Sequence, residues 1–237
     1  MRLRAVPRGV ELGTEPFDLR RRIGAAADDL VVLLPAGVRP VKAPRFPIVP
    51  LERLRTSGLP LRYVVLGPML DRDEGQALDR ELASRPWCSR LEARPGEVAS
   101  ALAAADLVLN CSLVEGFSNA VAEALAAGCA VLAADNSGNR AAIEDGKTGA
   151  LYRTGDPEDF TARARPLLDD TSIRRSLGAA ARAMARERFD SGREIDALLE
   201  LYRAALALAG RRARVYRGRS LPVAARVELE GERRRAR

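Results

Sequence analysis

Short apolar runs alternate with polar, amphipathic stretches along the 237 residues of the chain. The first run, LVVLL at residues 30–34, is continuously apolar and has the length of a strand. This form is expected of a parallel strand that is buried on both faces of a sheet. Similar runs follow at intervals, and the third of them is the weakest. Together they predict six strands, at residues 30–34, 62–68, 89–92, 107–109, 130–134 and 149–152.

The stretches between these runs carry the periodicity and the end signals of helices. Asp156 and Pro157, for example, begin one helix with proline at its first position. Helices are predicted at residues 51–56, 74–85, 97–105, 118–128 and 139–144, from 157 onward, and at 171–189 and 191–209. The alternation of strands and helices predicts an α/β fold with a doubly wound parallel, Rossmann-like sheet. No G-x-G-x-x-G follows any strand, which disfavours a dinucleotide-dependent oxidoreductase.

The chain divides by composition into three segments. Residues 1–29 are rich in arginine and predict a linker with a short helical turn, while residues 30–209 form the predicted domain. Residues 210–237 hold ten arginines and three glutamates and so account for the whole formal net charge of +7. Because the body is neutral, a nucleic-acid-binding domain is disfavoured. The tail is taken as solvated and disordered, the alternative being an arm that contacts RNA or an anionic membrane surface.

Several kinds of chemistry are excluded by the residues that the chain lacks. There is no histidine, which rules out Ser-His-Asp triads and histidine-ligated metals. The cysteines Cys88, Cys111 and Cys129 are isolated. Asp71-Arg72-Asp73 resembles a metal-binding triplet, but it precedes a helix whose dipole favours acidic residues, so no metal site is predicted. With no long apolar span and no signal-peptide pattern, a cytoplasmic location is expected.

The most informative stretch runs from Glu115 to Gly128, after the strand at 107–109. Ser118 or Asn119 can cap a helix there, and an alanine-rich run continues to the glycine stop. Free amides at such a helix start favour an anion, and Gly116 lets a ligand approach the backbone. Glu115 and Glu123 can accept hydrogen bonds from hydroxyls, so the stretch suits a ligand with both phosphate and sugar. The alternative is a solvated helix face.

The same stretch, EGFSNAVAEALAAG, resembles the signature of the family-4 retaining glycosyltransferases of GT-B fold. The resemblance implies that Glu115 contacts hydroxyls of the donor sugar and that Glu123 holds the ribose. It also implies that the backbone between them faces the diphosphate, at Gly116, Phe117, Ser118 and Asn119.

A basic loop follows the first strand and contains Arg39 and Lys42. Loops at the carboxyl ends of parallel strands are where open α/β sheets bind ligands, and both side chains can donate to phosphate. The loop resembles the diphosphate-binding Arg/Lys segment of the same family, although the spacing is shorter than usual. Of the 39 basic residues only Lys42 and Lys147 are lysines, which favours a specific need for lysine at position 42. The alternative is a solvated basic loop.

Two further segments refine the resemblance. Most members of the family have Gly-Gly and then Glu where this chain has Ser137, Gly138 and Ala141. Gly138-Asn139 and the loop at 34–42 are most similar to the group called glycosyltransferase 1 domain-containing protein 1. Residues 6–10, VPRGV, resemble the segment that enters the donor domain from the interdomain hinge. The resemblance therefore implies that the chain is the C-terminal, donor-binding half of a GT-B enzyme and begins at the hinge.

Together with the resemblance, these observations predict a retaining glycosyltransferase of the hexosyltransferase class, without metal or cofactor, that takes a nucleotide diphosphate sugar as donor. Catalytic residues are not assigned, because the acceptor domain of the family has no counterpart in the chain. The alternatives are a nucleotide-binding module without catalysis and an Arg-tailed interaction protein on the same fold. The expected partner is a second polypeptide with an acceptor domain or another copy of the chain. Self-association would use the apolar stripe of helix 191–209, formed by Ile195, Leu198, Leu199, Tyr202, Ala205 and Leu206.

Overall fold

A computed structural model describes the backbone of residues 8–216 and the side chains of residues 8–207. Residues 8–191 form one compact unit, and the described part of a second unit, residues 192–216, is helical. Two expectations lie outside the described residues. They concern the start of the hinge-like segment, Val6 and Pro7, and the tail from residue 217 onward.

The compact unit is built on one sheet of six parallel strands. All six predicted strands are present, and the predicted fold class is confirmed. The strands are β1 (Leu30–Pro35), β2 (Leu61–Leu66), β3 (Cys88–Leu91), β4 (Leu107–Asn110), β5 (Val131–Ala134) and β6 (Ala150–Tyr152).

The order of the strands across the sheet is β3-β2-β1-β4-β5-β6. From β1 the chain therefore winds outward to β2 and β3, and then returns to place β4 on the other side of β1. The connections that leave the carboxyl ends of β1 and β4 diverge at this point. Such a divergence opens a crevice, which is where open α/β sheets bind their ligands.

Nine α-helices lie in the described part of the chain. They are α1 (Leu19–Arg22), α2 (Ile48–Thr56), α3 (Arg72–Ala83), α4 (Val98–Ala103), α5 (Asn119–Ala127), α6 (Ser137–Arg140), α7 (Pro157–Asp169), α8 (Thr171–Arg188) and α9 (Ser191–Tyr216). Helix α2 begins earlier than predicted because Pro47 and Pro50 lie at its cap and in its first turn, where a missing N–H costs no helical bond. Helix α6 has only four residues and ends before the predicted Glu144.

Side chains from alternate positions of the strands enter two cores, one on each face of the sheet. Val32 and Leu34 of β1 pack with α2, α3 and α7, whereas Val31 and Leu33 pack with α4, α5 and α8. This double burial explains why the strand sequences are apolar throughout. The three cysteines are buried as well, and burial raises their pKa values to about 12.

Helix α5 is fixed at both ends. The Ser118 hydroxyl accepts from the Val121 amide at the start, and Gly128 ends the helix in the left-handed conformation with φ of 78°. Helix α8 lies directly against this end of α5. The approach is so close that a Cβ added to Gly178 would lie 2.2 Å from the Gly128 carbonyl oxygen. The position of α5 therefore depends on glycine at position 178.

Residues 8–29 belong to the compact unit, which differs from the linker expected there. Phe17 and Leu19 are buried, and the Phe17 amide donates to the Ser100 hydroxyl at 2.9 Å. Arg20 pairs with Asp106 at 2.7 Å. Apart from the short helix α1, the segment follows the surface of the core as a coil and is anchored by isolated apolar residues, so it has no sequence period.

Helix α9 continues to Tyr216, past its predicted end at residue 209 and into the segment predicted as a tail. The predicted stripe lies on α9, and five of its side chains are exposed: Ile195, Leu199, Tyr202, Ala205 and Leu206. Among the described helices, none has the length and apolar character needed to span a membrane.

Candidate functional site

The loops that follow β1 and β4 lie side by side at the carboxyl edge of the sheet. The Leu113 amide of the second loop donates to the Val41 carbonyl of the first at 2.9 Å. The first loop is also held by the Val38 amide, which donates to the Pro68 carbonyl after β2 at 2.8 Å. These contacts place residues 36–42 beside residues 111–118, at the point where the winding of the sheet reverses.

Lys42 and Glu115 meet in this crevice. The Lys42 ammonium donates to Oε1 of Glu115, and the Ser112 hydroxyl donates to the same oxygen at 2.7 Å. Only 17% of the Lys42 side chain and 11% of the Glu115 side chain are exposed. The fold thus unites two residues that are 73 positions apart and that were predicted to serve the same ligand.

The pKa of Glu115 reflects this setting. Burial by itself would raise the pKa, but the hydrogen bonds from Lys42 and Ser112 and the charge of Lys42 outweigh burial, so the pKa lies below its ordinary value. Glu115 is therefore held as a carboxylate in a partly shielded site. Both groups can exchange this contact for a ligand that offers phosphate to one and hydroxyls to the other.

The start of α5 is exposed beside this pair. Gly116 has no heavy atom within 4 Å of the position that a Cβ would occupy, and its φ is not positive. Asn119, the first residue of α5, accepts a hydrogen bond from the Arg8 guanidinium at 3.1 Å. An open helix start with a cation beside it is a favourable place for an anionic group.

A cavity of about 370 Å³ adjoins the same edge of the sheet. Its walls come from the loops after β1, β2 and β3, from α4 and α5, and from residues 11–13. The loops approach closely, since a Cβ on Gly67 would lie 2.4 Å from the Ala36 carbonyl oxygen. The walls are mainly apolar, and among the described residues that line them Glu11 and Glu123 are the ionisable ones. This is the form of a small-molecule site in which a few polar groups fix the orientation of the ligand.

Glu123 lines the cavity from the second turn of α5. Burial raises its pKa above the ordinary value, and the charge of Arg8 opposes that change. A carboxylate with reduced access to water gains more from a pair of ligand hydroxyls than an exposed one does. Glu123 and the Lys42–Glu115 pair thus define two neighbouring parts of one candidate site.

The remaining predicted site residues take different positions. Arg39 is exposed on the first loop, and the structure does not bring it into the pair. The Phe117 ring is half-buried and packs edge to face on Phe189, with 5.8 Å between centroids. Ser118 is buried, and its hydroxyl is engaged as the cap of α5.

Four polar residues of the site were missed by the sequence analysis: Asn110, Ser112, Asn136 and Asn139. All lie at or just after the carboxyl ends of β4 and β5. One signal was available, because Asn110 directly follows the apolar run of β4, where a buried parallel strand would otherwise continue with an apolar residue. In the described part of the chain no group of three or more acidic or cysteine side chains is arranged to hold a metal ion. Asp71 instead caps α3 by accepting from the Glu74 amide at 2.9 Å.

Comparisons with known proteins agree with this architecture. The family model described as glycosyl transferases group 1 matches residues 17–184. The D-inositol 3-phosphate glycosyltransferase of Nocardia farcinica is 34% identical over 98% of this chain and 54% of its own length. The enzyme of that name from Geodermatophilus obscurus is 33% identical over 84% of this chain and 47% of its own. The chain thus spans about half the length of the curated relatives it matches.

Solved structures show the same fold at lower identity. HepE of Anabaena, crystallised with UDP and glucose, superposes with a TM-score of 0.72 over 84% of this chain and 55% of that chain, at 23% identity. Sucrose-phosphate synthase of Thermosynechococcus elongatus gives a TM-score of 0.74 over 86% of this chain and 53% of that one, at 20% identity. Each match again covers about half of the known protein.

Proposed function

This chain belongs to the glycosyl transferases group 1 family, and we propose that it forms the donor-binding half of a GT-B glycosyltransferase, with a nucleotide diphosphate sugar as ligand. One observation supports the proposal above all others. The reversal point of the sheet brings Lys42, Glu115 and the open start of α5 next to a cavity that contains Glu123. A cation and a helix start suit a diphosphate, while each carboxylate suits a set of hydroxyls.

The nucleoside is assigned to the cavity. Its apolar walls can cover a base, and Glu123 is the carboxylate placed to accept hydrogen bonds from the ribose. The structural relative HepE was crystallised with UDP and with UDP-glucose, which supports a ligand of this class. The diphosphate would then lie over Gly116 at the start of α5. There the Lys42 ammonium turns from Glu115 to phosphate and leaves Glu115 free for the sugar.

Gly116 gives a direct test of this placement. An alanine there meets no protein atom and adopts an ordinary backbone conformation, so the free protein should fold and melt like the wild type. If the diphosphate lies against the backbone, the new methyl group intrudes on it. We expect Gly116→Ala to weaken the binding of UDP or GDP about tenfold or more, or roughly 1.4 kcal/mol. Calorimetric titration measures the affinity, and the melting temperature serves as the control.

The opposite outcome is equally clear. An unchanged affinity at an unchanged melting temperature would show that the ligand does not approach the backbone of the loop after β4. The diphosphate would then have to be placed elsewhere, with Lys42 and the start of α5 serving only the fold.

The finer features of the function form part of the proposal. The resemblance implies membership of the family-4 retaining enzymes, similarity to the glycosyltransferase 1 domain-containing protein 1 group, and hexosyl transfer. A cytoplasmic location, which was expected from the sequence pattern and not from the resemblance, is also proposed. Independence from metals and cofactors is proposed as well, because a lysine and backbone amides can supply the positive charge that a metal would otherwise bring to the diphosphate. A donor affinity that is the same with a chelator as with added Mg²⁺ would support independence from metals.

The acceptor is assigned to a partner. In the family that the chain resembles, the acceptor site is contributed largely by the other half of the enzyme, and this chain spans about half of its relatives. We propose that sugar transfer needs a second polypeptide that carries the acceptor domain, or that the chain self-associates through α9. The exposed Ile195, Leu199, Tyr202 and Leu206 favour association, since burial of apolar surface contributes about 25 cal/mol per Å².

The role of α9 can be tested by light scattering. Leu199→Glu places a charge in the apolar stripe, and we expect this variant to shift an associating chain toward monomer. Ala204→Glu, which adds the same charge to the opposite, exposed face of the same helix, is the matched control because it leaves the stripe intact. A chain that is monomeric before any substitution and transfers sugar to an acceptor by itself would overturn the proposal.

A further inference from the structure

Helix α6 and its capping residue Asn136 contact the loop that carries Glu115. We propose that Asn136, Gly138 and Asn139 are positioning residues that hold Glu115 in place for the donor sugar. The inference rests on the proposed function for the identity of the ligand. The placement of Glu115 itself depends only on contacts within the chain.

The first contact comes from Asn136, whose side chain has two separate tasks. Its Oδ1 accepts from the Asn139 amide at 3.0 Å and so caps α6. Its Nδ2 donates to the Ser112 carbonyl at 2.9 Å. Since the Ser112 hydroxyl donates to the Glu115 carboxylate at 2.7 Å, Asn136 holds the residue that orients the carboxylate.

The second contact is the close approach of Gly138 to the loop backbone. A Cβ on Gly138 would lie 2.6 Å from both the Cβ and the carbonyl oxygen of Glu115. Backbone cannot yield as a flexible side chain can, so only glycine allows the loop to lie this near to α6. The Ser137 hydroxyl donates to the same Glu115 carbonyl at 3.3 Å.

The third contact is a buried amide pair. Asn139 is fully buried, and its Nδ2 donates to Asn110 Oδ1 at 3.1 Å and to the Ala134 carbonyl at 2.8 Å. Asn110 Oδ1 also accepts from the Ser112 amide, and Asn110 Nδ2 donates to the Ser118 hydroxyl at 2.9 Å. Asn110 therefore spans the loop from its start to its end, and Asn139 determines which way the Asn110 amide faces.

The three contacts leave the Glu115 loop little freedom. Its two ends are joined through Asn110, its start is tied to α6 through Asn136, and its middle lies against Gly138. Buried hydrogen bonds of this kind restrict the motion of a loop, although Oδ1 of Asn139 is itself buried without a partner among the described residues. Without them, the carboxylate would keep Lys42 as a partner but would lose the fixed direction from which it meets a sugar hydroxyl.

Two substitutions separate positioning from stability. Asn136→Ser keeps a neutral residue that caps helices well, but serine is too short to reach the Ser112 carbonyl. Gly138→Ala pushes the loop away from α6 at Glu115. Gly149→Ala is a matched control for added bulk, because its Cβ would lie 3.2 Å from Ile143 and from the Val131 carbonyl, and neither residue belongs to the network.

The first measurement needs no ligand. Carbon NMR of the Glu115 carboxyl group, followed through a pH titration, reports its hydrogen bonds directly. We expect the pKa of Glu115 to rise in Asn136→Ser and in Gly138→Ala and to stay at the wild-type value in Gly149→Ala. Lys42 is the charged group that faces Glu115 and remains in place in all of these variants.

The second measurement compares UDP with UDP-glucose and GDP with GDP-mannose by calorimetry. We expect both variants to lose about tenfold in affinity for the sugar nucleotide that the wild type binds, with the affinity for the bare diphosphate changed much less. An unchanged pKa of Glu115 in both variants would overturn the inference. If the pKa of Glu115 rises in the two variants but the wild-type chain binds no nucleotide, the positioning of Glu115 stands and the proposed function fails.

Discussion

Replacing Glu123 or Lys42 with alanine is expected to weaken the binding of a nucleotide diphosphate sugar about tenfold or more. Hydrogen bonds to charged groups contribute about 1.5–3 kcal/mol, which corresponds to roughly 10- to 150-fold in Kd. Glu123 is the carboxylate of the cavity, and Glu123→Gln keeps its shape while removing its charge. Lys42→Ala should have the larger effect, because the unpaired carboxylate of Glu115 would then repel phosphate.

The other lysine provides a matched control. Lys147 lies in the turn before β6, at the amino ends of the parallel strands and thus away from the candidate site at their carboxyl ends. Its side chain is 77% exposed. Its partner Glu144 is 55% exposed and serves as the control for Glu123. Calorimetric titration of Lys147→Ala and Glu144→Ala should give the wild-type Kd. Wild-type affinity in both Lys42→Ala and Glu123→Ala would refute the site assignment.

Gly178→Ala is expected to destabilise the fold by about 1–3 kcal/mol, which lowers Tm by roughly 3–10 °C for a domain of this size. In an ordinary helix this change would stabilise by about 1 kcal/mol through propensity. Here the added Cβ would lie 2.2 Å from the Gly128 carbonyl oxygen, so α8 must move away from α5. Differential scanning calorimetry measures the effect.

The exposed face of α8 supplies the control for this prediction. Ala179→Gly, one residue later and exposed, should cost only the propensity difference. A rise in Tm for Gly178→Ala would mean that the contact between α8 and the end of α5 is looser than the structure has it. The position of Glu123 on α5 would then need another explanation.

The fold was predictable from the sequence because each strand is buried on both faces. The runs at 30–34 and 130–134 are apolar throughout for that reason, and they indicate a parallel sheet without further information. The ends of α5 were also predictable, since a serine cap and a left-handed glycine act through local backbone chemistry. The resemblance to glycosyltransferases came from residues 115–128, and membership of the glycosyl transferases group 1 family is confirmed by the match over residues 17–184.

The contacts between distant segments were not predictable. Lys42 and Glu115 were assigned to one ligand, but their direct pairing depends on the order of the strands, which places β4 beside β1. The packing of residues 8–29 on the body likewise rests on single anchors such as Phe17. The helix that was expected to run to Glu144 ends at Arg140, and the turn before it already holds the first residues of α6. The hydrogen bond from Asn139 to Asn110 joins segments 29 residues apart, which the local sequence does not reveal.

The central claim is that this chain binds a nucleotide diphosphate sugar at the reversal point of its sheet. Its most direct test is calorimetric titration of the wild-type chain with UDP, GDP, UDP-glucose and GDP-mannose, in the presence of a chelator and again with added Mg²⁺. We expect saturable binding of at least one nucleoside diphosphate and of the corresponding nucleotide sugar, with the same Kd with chelator and with Mg²⁺. Absence of binding to all four ligands, together with tight and salt-sensitive binding to a polyanion, would contradict it and favour an interaction protein on the same fold.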